Sequence, residues 1–176
     1  MEWILILVAI LQSMAISLGV GSSTTAILNF FVAIKDGKID PQERNIMGVT
    51  YAVLRVSMVL ILITTITLAL KSYGEIGNVY FSAYNMGFWL LIFILYTNAT
   101  LMTLRIMPST FGPALQASTW YTLGIIYALI PLGLTDFTLP QFLMGYVVAI
   151  FLAISIVNGT MAIMKAMRDE ANPSQK

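Results

Sequence analysis

Apolar residues fall in five long runs separated by short polar breaks, at about 3–34, 46–70, 81–106, 111–134 and 140–167. Each run is long enough to cross a hydrocarbon core of ~30 Å as an α-helix rising ~1.5 Å per residue. The expected fold is all-α: a polytopic membrane helical bundle of five transmembrane helices, forming one domain over residues 1–176. The breaks carry turn and cap chemistry. Lys35 to Ile39 reads as a polar turn, and Asp40-Pro41-Gln42-Glu43 reads as a helix start with Asp40 as cap and Glu43 closing a capping box. Lys71 to Gly74 closes the second run and Met107-Pro108-Ser109 stops the third. Pro131 is placed to kink or end the fourth, and Arg168 to Lys176 is expected to fray. The first run exceeds the bilayer thickness and predicts a tilted continuous helix, with Gly19 to Thr25 as the weak point were it broken.

A line of small residues steps by four along that first run: Ala9, Ser13, Ser17, Gly21 and Thr25, then Asn29. Gly145, Ala149 and Ala153 repeat the spacing in the fifth. Small-xxx-small ridges let membrane helices approach closely, within one chain or between protomers. Ser13, Ser17, Gly21, Gly145, Ala149 and Ala153 are therefore the expected packing positions, and the first and fifth helices the expected closest pair.

Composition confirms the environment and removes most chemistry. Charged residues make up 10% of the chain, against about 25% in a soluble domain. Mean hydropathy is +0.87. A formal net charge of +1 leaves no electrostatic case for nucleic acid. The chain has neither cysteine nor histidine, which removes thiolate chemistry, the commonest general base and the usual nitrogen ligand for metals. No metal site and no cofactor are expected. Every acid (Glu2, Asp36, Asp40, Glu43, Glu75, Asp136, Asp169, Glu170) lies in a break or at an end, so no proton relay, aspartyl protease or carboxylate-bridged metal fits, and no enzymatic activity is expected. Asp36 to Glu43 matches half of a calcium loop, but Val32 and Ile34 stand at the leading ligand positions, and the segment reads as turn plus cap.

Arg55 is the exception among the charges, falling about one helical turn inside the estimated cytoplasmic boundary of the second run. Counting back from Lys35, Arg105 and Lys165 puts Asn29, Asn98 and Asn158 at one depth, close to that of Arg55, with Thr25 nearby. Convergence of these side chains would make a polar cluster able to bind a small solute or an anion. Lysine and arginine concentrate in the first loop, before Met107 and at the C-terminal end, with only Lys71 opposite. The positive-inside rule then predicts an inner-membrane protein with its N-terminus outside and its C-terminus cytoplasmic. Glu2 precedes an apolar run too long for a cleavable signal, so the first helix is expected to be retained.

Leu18-Gly19-Val20-Gly21-Ser22, Phe30-Phe31 and Asp36 to Glu43 together resemble the opening of small bacterial integral membrane proteins loosely similar to the copper-resistance-D type. The resemblance spans part of the first two runs and implies a small helical bundle. Copper or haem in such proteins would lean on histidine, so no site residue is carried over. The expected function is that of an accessory or structural subunit. It would pack in the lipid bilayer against copies of itself or other membrane subunits. Passage of a small solute or anion is the alternative.

Overall fold

The computed structural model describes residues 2–33, 40–73, 82–108 and 111–171. Five α-helices run through them: α1 (Glu2–Ala33), α2 (Pro41–Tyr73), α3 (Ala83–Thr103), α4 (Phe111–Leu129) and α5 (Leu139–Ala171). The turn expected at 35–39, Gly74, Ser109 and residues 172–176 lie outside the described residues. α1 is continuous through Gly19 to Thr25. α5 continues past Met167 to Ala171, beyond the expected fraying point.

Local chemistry explains the boundaries. Asp40 Oδ1 accepts from the Glu43 amide at 2.7 Å while Glu43 Oε2 accepts from the Asp40 amide at 3.0 Å, the reciprocal capping box expected at the start of α2. A second box, which sequence reading passed over, opens α5. The Thr138 amide donates to Gln141 Oε1 at 2.8 Å and the Gln141 amide donates to Thr138 Oγ1 at 3.4 Å. Ser82 caps α3 through the Asn85 amide at 3.2 Å. At its other end α3 stops earlier than Pro108. Arg105 turns left-handed (φ 58°) and the Ile106 amide reaches back to the Leu101 carbonyl at 3.0 Å, a Schellman closure with arginine where glycine is usual. Pro131 ends α4 in a 3-10 turn, Ile130–Leu132, closed by left-handed Gly133.

Successive helices alternate in direction, and α4 takes the middle. It packs against α1, α3 and α5, while α1 and α2 form the most extensive helix pair. The expected α1–α5 pairing is corrected by this arrangement: those two helices barely touch. Ten of the nineteen α4 residues are buried, including Gln116, Ser118, Thr119 and Thr122. That polarity is why α1, α2, α3 and α5 are each long and apolar enough to cross a membrane while α4 is not among them. A helix carrying hydroxyls and a carboxamide is placed where neighbours, not lipid, receive them. Ser118, Thr119 and Thr122 satisfy their hydroxyls on carbonyls three or four residues back.

The core follows a 3.5-residue rhythm. On α2 the buried positions are Thr50, Leu54, Ser57, Met58, Ile61, Thr64 and Thr65, and on α3 they are Gly87, Phe88, Leu91, Ile92, Leu95 and Asn98. Large side chains from four helices meet there: Ile61, Leu91, Leu95, Trp120 and Leu123 are shielded almost completely, with Ile16 at the α1 side. One end is closed by aromatics. Phe142 stacks on Phe137 and Tyr146 at 6.1 and 6.3 Å, and Gly87 leaves the room its ring occupies.

Candidate functional site

The α1–α2 seam is built from small and hydroxyl side chains. Asn29 Nδ2 donates to Thr50 Oγ1 at 3.2 Å, and Gln12 Nε2 donates to Thr65 Oγ1 at 3.0 Å. These two bonds set an antiparallel register that puts Ser22 opposite Ser57 and Ala15 opposite Thr64, all four buried. Thr50, Ser57 and Thr64 recur at intervals of seven and return their hydroxyls to their own helix, so the seam can close without stranding polar atoms.

The buried ridge of α1 is therefore Gln12, Ala15, Ile16, Gly19, Ser22 and Ser23. It is not the four-step line Ala9, Ser13, Ser17, Gly21, Thr25. The reason is rotational. Each step of four overshoots a whole turn by about 40°, so the four steps from Ala9 to Thr25 sweep roughly 160° around the helix. Ser17, Gly21 and Thr25 are exposed, Ser13 is half-buried, and nothing lies within 4 Å of a Cβ built on Gly21. Gly145 is likewise exposed with nothing within 4 Å, whereas Ala149 and Ala153 are half-buried at the edge of α5's inner face. The close approach on α1 belongs to Gly19, where a Cβ would fall within 3.0 Å of the Trp120 ring. Trp120 is fully buried against it.

The polar side chains expected to converge are held apart. Asn29 is engaged with α2 at Thr50, and Asn98 with α4. Asn158 is exposed on α5, Arg55 is exposed on α2, and Thr25 donates to the Gly21 carbonyl. No hydrogen bond joins any two of Arg55, Asn29, Asn98 and Asn158 among the described residues. A count of depth along the axis does not set the direction in which each side chain leaves its helix.

What does assemble is a polar layer around α4. Asn98 Nδ2 donates to the Gly112 carbonyl and to Gln116 Oε1, each at 2.9 Å, with Met102 Sδ at 3.6 Å. Gln116 Nε2 reaches Met58 Sδ on α2 at 3.8 Å, and Tyr96 Oη donates to the Met58 carbonyl at 2.8 Å, joining α2 to α3. Thr119 shares a 2.8 Å bond with Tyr146 on α5. Because the Thr119 hydrogen is already given to the Leu115 carbonyl, Tyr146 is the donor. Thr24 and Tyr121 make the same kind of link between α1 and α4 at 2.7 Å. Each neighbouring helix is thus tied to the central one by a directional bond, in a setting where burial of apolar surface does not drive helices together. Of the polar set, Gln12, Ser57, Gln116, Thr119 and Trp120 were not singled out from the sequence. Their signal was the seven-residue recurrence and the dip in apolarity of α4.

The molecule is an all-α membrane-embedded bundle organised around a polar central helix. No family model, characterised protein or solved structure matches the chain.

Proposed function

We propose that this is a non-enzymatic, multi-pass inner-membrane protein that acts as an accessory or structural subunit, binding other helices through its outward faces. The observation behind this reading is the placement of glycine. Gly21 on α1 and Gly145 and Gly159 on α5 face open space, where a Cβ would meet nothing within 4 Å among the described residues. A glycine within a helix costs about 1 kcal/mol relative to alanine, and the fold gains no close approach from these three. A partner helix would. α5 supports the reading, since only Phe142, Tyr146 and Val157 of its apolar span are buried, leaving Val148, Phe151, Leu152 and Ile156 outward. Lipid covers the outward apolar surface that partners leave free. Arg55 sits on the outward face of α2 beside exposed Val56 and Val59, where its long stem carries the guanidinium toward phosphate headgroups. Loop charge supports an N-terminus outside and a C-terminus in the cytoplasm. Passage of a solute or anion loses the convergent Arg55–asparagine cluster it rested on.

Leucine at Gly145 or Gly21 tests the reading. Both variants should insert at the parent level and lose the slower-migrating assembly on a native gel of gently extracted membranes. Unchanged assembly with both variants would remove the basis of the proposal.

A further inference from the structure

The layer around α4 holds more hydrogen-bonding atoms than the chain pairs. Asn98 Oδ1 and Trp120 Nε1 are buried and have no hydrogen-bond partner among the described residues, on side chains 1% and 0% exposed. The Asn98 orientation is not interchangeable. Its nitrogen faces the Gly112 carbonyl at 2.9 Å, an atom that can only accept, so the oxygen is the atom left over. Gln116 is also under-used: Asn98 takes its Oε1, and its Nε2 has only the Met58 thioether, a weak acceptor at 3.8 Å. Trp120 stands one turn beyond Gln116 on the same face of α4. Helical side chains lean toward the N-terminus, which lays the indole over the turn carrying Gln116. One unpaired acceptor and two under-used donors therefore lie within about two turns of α4, from Gly112 to Trp120, in a bundle interior shielded from bulk water.

We infer that this layer binds an internal water molecule, which accepts from Trp120 Nε1–H and Gln116 Nε2–H and donates to Asn98 Oδ1. Buried waters commonly make about three hydrogen bonds to groups of this kind. The donor and acceptor mixture also selects the ligand class. A cation is repelled by the two N–H groups, an anion by the amide oxygen, and an apolar guest leaves all three unpaired. The water ties α3 to α4 at the level where Trp120 meets Gly19 of α1, so it belongs to the bundle's core rather than to the outward faces used in the proposed function.

Trp120 supplies the probe. The chain has three tryptophans, and Trp3 and Trp89 are exposed, so phenylalanine at both leaves Trp120 alone in an otherwise intact core. Ultraviolet resonance Raman spectra of that protein in detergent report whether the indole N–H is hydrogen-bonded. The inference expects a bonded signature that reverts to a free one in Asn98→Leu, because the water loses its acceptor on α3. A free N–H in the Trp120-only protein overturns it without any core substitution. So does a bonded signature that Asn98→Leu leaves unmoved, which would mean a direct protein partner on α1.

Discussion

Two glycines two residues apart on α1 should respond to the same substitution in opposite directions. A Cβ at Gly19 would enter the Trp120 ring at Cε3, Cζ3 and Cδ2, and the ring has no exit: it is fully buried, and at the next turn Gly124 is already against Val20 and Ile16. Overpacking of this kind costs about 1–3 kcal/mol, and a rigid fused ring belongs near the upper end. A Cβ at Gly21 meets nothing. Both are interior positions of one helix, so the propensity gain of alanine, about 1 kcal/mol, is common to both and cancels in the comparison. The difference between Gly19→Ala and Gly21→Ala should therefore be about 2–3 kcal/mol, or roughly 30- to 150-fold in the folding equilibrium. SDS titration of the purified protein in micelles, followed by tryptophan emission, measures it. A Trp120→Leu background supplies the control, since removing the ring should make Gly19→Ala nearly harmless and expose the coupling as non-additivity. Equal stability of the two alanine variants would refute both the seating of Gly19 against Trp120 and the 3.5-residue rhythm of α1's buried face.

Asn98→Ala breaks the bonds to Gly112 and Gln116 and should cost about 1–3 kcal/mol in the same titration, while Asn158→Ala, exposed on α5, should stay within about 0.5 kcal/mol. The absence of native cysteine lets the α1–α2 register be tested directly: Ser22→Cys with Ser57→Cys should oxidise to a cross-link, and Gly21→Cys with Ser57→Cys should not. Arg105→Gly relieves the left-handed backbone at the end of α3 and should raise stability by about 1 kcal/mol. At Gly112 the nearest atoms to a new Cβ belong to the flexible Met102 side chain, so Gly112→Ala should cost less than Gly19→Ala, whose neighbour is a rigid ring.

The helices themselves were legible because membrane thickness and turn chemistry leave marks on single residues. Asp40 and Glu43 announce the start of α2, and Pro131 the end of α4. Packing was less legible because it depends on rotation, and a spacing of four was counted where the buried faces use a mean of 3.5. Gly19 and Gly21 show how small the error is along the chain and how large around the helix. Asn29, Asn98 and Asn158 show the same limit for chemistry: Asn29 bonds α2, Asn98 bonds α4 and Asn158 is exposed, directions that counting along the chain does not give. α4 carried its own sign of burial, Gln116 to Thr122 in an apolar run, which only acquires meaning once apolar helices α1, α3 and α5 pack around it.

Native mass spectrometry of the protein after gentle extraction from its own membrane tests the central proposal most directly. The account predicts a discrete assembly containing further copies or other membrane chains, and its loss in Gly145→Leu with the monomer still folded. A parent protein that emerges only as a folded monomer, identical in mass distribution to Gly145→Leu, would contradict the subunit reading.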